Sequence, residues 1–320
     1  MHIRGLRVFC DVVKRRSFSL AAADHGMTQS AASQTVQHLE DFLKVQLIDR
    51  SKRPFLLTSE GQRFFDGVSA LIRQFDTLVN EIRQSGEDIN GQIAISSIYS
   101  VGLSYLPAIE EAFKKHYPNV SYNVQYAHPH EVYRMVEQGT VDFGLISYPE
   151  ASKTIQATHW RDERMVLVAS PRHRLASQGT VSAVALSECG FVAFVPQLRI
   201  RQEVDRHLRA HGISGRVVVE LDNIDSVKHA VMVNSGIAVL PERTVQQEVG
   251  SKSIRILDCP GLDITRPLGI IQRRSVAVSR PARAFLELLM SDVAVDVSPE
   301  EIVCGNGSVS QRSHEPVSAK

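Results

Sequence analysis

Two short stretches of helical periodicity, separated by a turn, lie in the first forty residues. In the first, an apolar run from Phe18 to Ala23 leads to Gly26, where a turn adopts a positive φ at little cost. In the second, from Gln29 to Leu39, apolar residues fall on one side and small uncharged hydrogen-bonding residues on the other. Thr28 is the expected N-cap of this second helix. The pattern predicts a helix-turn-helix with a polar outer face.

That polar face suits a helix that enters the major groove of DNA and reads base edges. An ordinary solvated helix pair is the alternative, because helix-turn-helix spacing is a loose signal. A hairpin pattern follows, in which two short apolar runs enclose Arg50, Lys52 and Arg53. These cations can reach phosphates or a minor groove from the hairpin tip. The hairpin therefore favours the DNA-reading interpretation.

The charge distribution points in the same direction. Residues 1–58 contain nine Lys or Arg and five Asp or Glu, a net charge of +4, whereas the whole chain has a formal charge of +1. Concentration of positive charge at one end is typical of a nucleic-acid-binding segment.

Residues 59–86 have the clearest apolar periodicity in the chain. Six apolar residues follow one another at intervals of four and three, and three more widen the stripe. Such a seam is typical of one helix of a coiled-coil pair. We therefore predict a linker helix that pairs two copies of the chain, with packing inside its own domain as the alternative. The seam consists of Phe64, Val68, Leu71, Phe75, Leu78 and Ile82, widened by Phe65, Ile72 and Val79.

From Gly91 onward, strand-like and helix-like patterns alternate. This alternation predicts doubly wound α/β layers, and about 200 residues suffice for two similar lobes with a cleft between them. In such folds ligands bind where strand ends meet helix N-termini. Residues 291–320 are rich in Ser, Val, Pro and acidic residues, so we expect a disordered tail.

Composition excludes several other classes of protein. The chain of 320 residues is 43% hydrophobic, yet it has neither an apolar run long enough to cross a membrane nor a signal-peptide pattern at its start. Its four cysteines have no metal-ligand spacing, and we expect free thiols. His128-Pro129-His130 lacks an evident third ligand and is interpreted as a loop. No GxSxG, P-loop or GxGxxG motif is found, so we expect no catalytic residue, no cofactor and no metal.

Five segments carry a family resemblance and occur in order along the chain. They are RVFCDVVKRRSFSLAAADHGMTQSAASQTVQHLEDFLKVQLIDRSKRPFLLTSEGQRF, GTVDFGLIS, RMVLVASPRHRLA, VVVELDNIDSVKHAVMVNSGIAVLPE and SRPARAFLELL. By these segments the chain resembles the LysR-type transcriptional regulators over residues 2–290. The resemblance implies a winged helix-turn-helix at 1–58, a linker and dimerisation helix at 59–86, and an α/β effector domain at 87–290, shaped like the two-lobed periplasmic binding proteins. Lobe one would comprise about 91–161 and 267–290, and lobe two about 162–266.

The resemblance also assigns DNA-contacting residues. Family members often have Pro at the position of Ser30 and a basic residue at that of Gln34, so the preferred DNA sequence stays open. The base-reading positions are Gln29, Ser30, Ser33 and Gln34, and the wing positions are Arg50 and Arg53.

For the effector, serines at strand ends and arginines that open a facing helix suggest a small anion held between the lobes. The alternative is that the serines are helix caps and the arginines surface charges. The segment 196–200 lacks the glycines usual in the family at this turn. The candidate effector-binding residues are Ser96, Ser97, Ser100, Ser147, Arg199 and Arg201.

We therefore predict a cytoplasmic DNA-binding transcriptional regulator controlled by a small-molecule effector, and not an enzyme. A cytosolic solute-binding protein and an α/β enzyme are the alternatives. The expected partners are double-stranded operator or promoter DNA, an effector for which an anion is favoured, and further copies of the chain. A homodimer and a homotetramer both stay open, as does contact with RNA polymerase, and no membrane partner is expected.

Overall fold

The computed structural model describes residues 2–83, 89–274, 276 and 278–291. The predicted disordered tail, apart from Ser291, and the predicted end of the linker helix at 84–86 lie outside the described residues. Within the described residues, no helix combines the length and apolarity needed to cross a membrane.

The N-terminal part is a helix-turn-helix followed by a two-stranded hairpin, as predicted. Gly26 has φ +62° in the turn, and the Thr28 side chain accepts a hydrogen bond from the Ala31 N–H at 3.2 Å, which caps the second helix of the motif. The antiparallel hairpin pairs Ile48 with Leu57. The elements are α1 (Ile3–Arg15), α2 (Phe18–Asp24), α3 (Gln29–Leu43), β1 (Ile48–Asp49) and β2 (Leu56–Leu57).

The long helix α4 (Ser59–Arg83) follows the hairpin and divides the predicted seam in two. Its first half packs on the helix-turn-helix core, where the Phe9 and Phe64 rings lie 5.4 Å apart. Farther along, four apolar side chains of the seam are exposed. They are Leu71, Phe75, Leu78 and Ile82.

Lobe one is built around the parallel strand order β4-β3-β5. Its core packs α5, α6 and α11 on these strands, because each helix buries one apolar face. Gly139 ends α6 with φ +69°, a left-handed conformation that glycine adopts at little cost. The elements are β3 (Gly91–Ser97), α5 (Tyr99–His116), β4 (Val120–Tyr126), α6 (Pro129–Gln138), β5 (Phe143–Ser147) and α11 (Arg280–Met290).

Lobe two has two apolar clusters, on either side of its strands. Strands β7 and β8 are parallel, and β9 pairs with the long strand β6. A 3₁₀ turn, Glu242–Val245, and the short helix α10 (Gln246–Gly250) follow β9. The remaining elements are α7 (Ala183–Ser187), β7 (Gly190–Phe194), α8 (Arg199–Ala210), β8 (Arg216–Leu221), α9 (Ile224–Met232), β9 (Ala238–Pro241) and β10 (Arg255–Leu257).

Two long antiparallel strands, β6 (Ile155–Ala169) and β11 (Ile264–Arg273), run through both lobes. They pair from Ile155 with Arg273 to Met165 with Ile264. The sequence of β6 is continuously apolar only over residues 165–169, and its polar start is held by pairing with β11. The two strands place the lobes on opposite sides of a cleft.

Candidate functional site

The outer face of α3 is accessible along its whole predicted reading surface. Gln29, Ser30 and Gln34 are exposed and Ser33 is half-buried, whereas Ala32 on the opposite side is fully buried. Ser30 also lies 2.9 Å from the Thr28 hydroxyl, oxygen to oxygen, which joins it to the helix cap. The face can present amide and hydroxyl groups to base edges.

A buried glutamate fixes the hairpin relative to α3. Glu40 accepts hydrogen bonds from the backbone N–H groups of Leu47 and Ile48, at 2.8 and 3.1 Å, through one carboxylate oxygen. Its other oxygen accepts from Arg50 at 2.8 Å, and Arg50 also donates to Gln37 on α3 at 2.7 Å. Arg50 thus joins the hairpin to the reading helix while part of its side chain stays exposed. Arg53 is exposed at the hairpin tip.

A second candidate site is a cavity of about 560 Å³ between the lobes. Strand ends and helix N-termini from both lobes meet there, as the α/β pattern predicted. The N-termini of α5, α6, α8 and α9 all contribute lining residues. The volume is in the range of small-molecule sites.

Three of these four helix ends have no side-chain cap among the described residues. The N-cap residues of α5, α6 and α8 are Ile98, His128 and Leu198, and none of them accepts a hydrogen bond from the helix; Asn223 caps α9. Uncapped N–H groups and the positive ends of helix dipoles favour an anion. The cavity therefore offers backbone donors to a negatively charged ligand.

One residue of the cavity lining, Arg266, belongs to a buried ion pair. Arg266 of β11 and Glu163 of β6 are 1% and 4% exposed, and Arg266 Nε donates to Glu163 Oε2 at 2.7 Å. Arg266 Nη1 donates to Ser100 Oγ at 3.0 Å. Burial, and contact with Glu163, raise the pKa of Tyr105 to about 12, so its phenol stays neutral beside the carboxylate. This network presents a guanidinium at the N-terminus of α5.

Tyr148 lies beside this network with an unusual backbone. Its φ is +53°, and its N–H donates to the Pro267 carbonyl at 2.7 Å, which ties the end of β5 to β11. Its hydroxyl is buried and makes no hydrogen bond within the described residues. Burial raises the pKa of Tyr148 to about 12. The hydroxyl is thus a neutral donor available to a ligand.

An ion pair spans the mouth of the cavity. Arg199 at the start of α8 lies 3.6 Å from Glu150, which follows β5 in lobe one. Arg199 also pairs with Glu203 at 3.0 Å on its own helix. His128 and His130 line the same rim with nearly parallel rings, their centroids 6.3 Å apart. Arg199 therefore has an acidic partner in each of the two lobes.

The structure brings some of the predicted effector residues together and separates others. Ser100, Ser147 and Arg199 line the cavity. Ser96 and Ser97 do not line the cavity, because both are fully buried in β3. A Cβ at Gly102 would lie 2.9 Å from Ser97 Oγ, so the glycine allows α5 to pack closely on Ser97.

Arg201 also does not line the cavity. It donates to the Phe194 carbonyl at 2.6 Å and pairs with Asp205 and Glu220, so it anchors α8 to the neighbouring strands. Although burial opposes the effect, these acidic partners raise the pKa of Arg201. Arg201 is the third residue of α8, and this position near the helix N-terminus indicated that it lies close to the cleft. The direction of its side chain could not be predicted from that position.

Sequence reasoning missed Arg266 and Tyr148 in the cavity lining, Glu163 behind Arg266, and Glu40 in the DNA-reading part. Arg266 and Glu163 are separated by 103 positions and meet only because β6 and β11 pair. The available signal was a charged residue between apolar positions, as Arg266 is between Ile264 and Leu268. In the described ranges, no group of three or more His, Cys, Asp or Glu residues is arranged to hold a metal ion.

Comparison with known families gives two matches that together cover nearly the whole chain. The family described as "Bacterial regulatory helix-turn-helix protein, lysR family" matches residues 3–62, and "LysR substrate binding domain" matches residues 86–294. The RuBisCO operon transcriptional regulator of Allochromatium vinosum is 26% identical over 297 residues, covering 92% of this chain and 98% of that protein. The uncharacterized HTH-type transcriptional regulator YeiE of Escherichia coli K12 is 29% identical over 289 residues, covering 90% and 97%.

Solved structures share the fold at low sequence identity. CbnR, a LysR family transcriptional regulator, superposes with a TM-score of 0.68 at 17% identity, covering 90% of this chain and 98% of its own. The regulatory domain of CcmR from Synechocystis PCC6803, solved in complex with 2-PG, has a TM-score of 0.58 at 21% identity and covers 65% and 99%. These likenesses establish the arrangement of the parts.

Proposed function

Because the chain belongs to the LysR family of transcriptional regulators, we propose specific surfaces for its two binding activities. The family makes it a DNA-binding regulator with an effector-binding domain, and not an enzyme. In our proposal, the outer face of α3 and the hairpin tip contact the operator, and the cavity between the lobes binds a small anionic effector.

For DNA, the proposal divides the predicted residues by role. Gln29, Ser30, Ser33 and Gln34 would read base edges, because they present uncharged donors and acceptors on an accessible helix face. Arg53 would contact phosphate or a minor groove from the hairpin tip. Arg50 would contribute less sequence information, since two of its donors are already used by Gln37 and Glu40.

For the effector, one observation carries the proposal: three uncapped helix N-termini and the Arg266 guanidinium converge on one cavity. A carboxylate or phosphate would accept from Ser100, Arg266 and these backbone N–H groups. The regulatory domain of CcmR, which shares this fold, was solved in complex with 2-PG, and we include 2-PG among the probes. Of the predicted residues, Ser100, Ser147 and Arg199 stay as proposed contacts, and Ser96, Ser97 and Arg201 act behind them.

The test is calorimetric titration of the full-length protein with carboxylates, phosphate, sulfate, 2-PG and neutral analogues. We expect binding of one or more anions and about tenfold weaker binding in Ser100→Ala, because a hydrogen bond to a charged group is lost. Ser104→Ala on the same helix, away from the cavity lining, is the matched control. Binding of neutral compounds alone, or equal affinities in the two variants, would refute the anion site.

We further propose that α4 pairs two copies of the chain. Leu71, Phe75, Leu78 and Ile82 are exposed at heptad spacing, and a partner helix would remove them from water. We expect Leu71→Glu with Leu78→Glu to convert the assembly to smaller species in light scattering and to abolish operator binding, since charges would be buried unpaired. Leu103→Glu, at an exposed apolar position of α5, is the control. An unchanged molecular mass would show that the stripe pairs no subunits.

A further inference from the structure

A second, smaller cavity lies where the linker helix meets lobe one. Its volume is about 200 Å³, and both its walls carry polar groups. Arg73, Gln74 and Thr77 line it from α4, whereas Asp142 and Arg273 line it from lobe one. It lies apart from the cavity between the lobes, with which it shares no lining residue.

The charges at this junction are unbalanced. Arg73 pairs with Asp142 at 2.9 Å, and the other oxygen of Asp142 accepts from the Ala94 N–H at 2.8 Å. Burial lowers the pKa of Arg73, and the nearby Arg273 adds to this effect by repulsion. Two guanidinium groups therefore face one carboxylate in a partly dehydrated space.

Arg273 makes no ion pair in the part of the chain that the structure describes. Its Nε is buried and makes no hydrogen bond within the described residues. Its guanidinium packs against Gly139, where an added Cβ would lie 3.0 Å from Arg273 Nη1. The absence of a side chain at Gly139 thus makes room for this guanidinium at the cavity wall. Ser279, the N-cap of α11, lines the same cavity and places the positive end of that helix beside it.

We propose that this junction is a second binding site, for a tetrahedral oxyanion of the phosphate or sulfate type. The forked donors of Arg73 and Arg273 suit two oxygens of such an anion, and Gln74 and Thr77 supply neutral partners. The bound anion supplies the missing negative charge. The cavity admits a group of this size but leaves little room for a large organic substituent.

Occupation of the site would tighten the contact between the linker helix and lobe one. Asp142 directly precedes β5, whose last residue Ser147 lines the cavity between the lobes. Asp66 of α4 also pairs with Arg134 of α6 at 3.1 Å, so two ion pairs hold the helix to this lobe. An oxyanion between Arg73 and Arg273 removes their repulsion. The same lobe would then respond to ligands at two separate places.

The experiment compares phosphate binding by full-length wild type, Arg273→Gln and Gln74→Glu at constant ionic strength, by calorimetry. The second variant places a carboxylate at an exposed helix position and supplies the counter-charge from within the chain, so it threatens folding little. We expect both variants to lose this site, with affinity reduced by about tenfold or more, since each removes a charge-assisted contact or blocks the anion. Arg283→Gln, an exposed arginine on α11, is the control.

Hydrogen exchange gives a local readout for the same samples. In wild type and in Ser100→Ala, phosphate should slow exchange of amides near Arg73 and Thr77, whereas in Gln74→Glu it should not. Sulfate should protect the same amides as phosphate does. If the site binds a free anion, glycerol phosphate should protect them more weakly. Equal phosphate binding and equal protection in wild type, Arg273→Gln and Gln74→Glu, or no protection in wild type, would overturn the proposal.

Discussion

The proposed reading face of α3 and the proposed effector cavity between the lobes are built in opposite ways. The four proposed base-reading residues lie within six consecutive positions, and their backbone is fixed by one local cap at Thr28. The cavity instead joins groups from both lobes, and its central charge pair, Arg266 and Glu163, is buried. The residues of the α3 face are mostly exposed to solvent, whereas the cavity is organised by groups that are buried away from water.

This difference determines how substitutions act in the two regions. On α3, a side chain can be removed without disturbing the core, because Ala32, Val36 and Leu39 pack on the other side. In the cavity, removal of one member of the ion pair leaves the other charge without its partner in a dry environment. Binding and stability are therefore separable on α3 and coupled in the cavity.

The largest expected effect is on the stability of the effector domain. Glu163→Ala should lower the free energy of unfolding by about 3–5 kcal/mol, because it strands the Arg266 guanidinium. Urea unfolding followed by circular dichroism measures the change. Glu188→Ala, which breaks the exposed pair with Arg174, should cost less than about 1 kcal/mol. Similar losses in the two variants would mean that burial of the ion pair has no special role.

The next effect concerns DNA sequence preference. Ser33→Ala with Gln34→Ala should weaken binding to a duplex selected from a random pool by about 1–3 kcal/mol for each lost base contact. Binding to unselected DNA and the unfolding midpoint should change little. Arg53→Ala should instead weaken binding to both duplexes and reduce the salt dependence. If the α3 variant loses the same binding affinity for the selected and the unselected duplex, the base-reading assignment is wrong.

A smaller effect is expected where α3 meets the hairpin. Glu40→Gln keeps an acceptor for the N–H groups of Leu47 and Ile48 but loses its charge beside the partly exposed Arg50. The unfolding free energy should fall by about 1 kcal/mol, because only the charge of the contact with Arg50 is lost. Glu40→Ala, which removes both acceptors, should cost more. If Glu40→Gln and Glu40→Ala lower the stability equally in thermal unfolding, the hydrogen bonds from the Leu47 and Ile48 N–H groups do not stabilise the hairpin.

The smallest effect is a change in alkaline titration. The pKa values of Tyr105 and Tyr148 are raised from 10.0 to about 12 by burial, so the unfolded chain releases these protons first. Stability should therefore fall as the pH rises from about 10 to about 12. Phenolate absorbance should show Tyr105 and Tyr148 among the last tyrosines to titrate, and Tyr148→Phe should remove one late-titrating group. Complete titration of the folded protein near pH 10 would contradict the buried environment.

Much of the architecture could be predicted because its determinants are local. Gly26 and Thr28 mark the turn and the start of α3, and Gly139 marks the end of α6. The linker periodicity predicted α4, although the structure divides its seam between a packed half and an exposed half. Packing partners, unlike periodicity, depend on the tertiary arrangement.

The site was less predictable for the same reason. Ser100, Ser147 and Arg199 were found because strand ends and helix starts converge in α/β folds. Arg201 was displaced from the expected site because Asp205 and Glu220 draw its guanidinium toward the helix and the neighbouring strand. Arg266 could not be paired with Glu163 in advance, since the pairing of β6 with β11 aligns them. Local sequence rules therefore identified residues near the cavity, whereas tertiary contacts determined where their side chains point.

The central claim is that the cavity binds an anion through Arg266, independently of the DNA-reading face. The most direct measurement is calorimetric titration of full-length wild type, Arg266→Lys and Gln34→Ala with 2-PG, phosphate, sulfate and small carboxylates. Lysine keeps the charge beside Glu163 but loses the fork that reaches Ser100. We predict that Gln34→Ala binds the preferred anion as wild type does and that Arg266→Lys binds it about tenfold more weakly. Equal affinities in all three proteins would contradict the account.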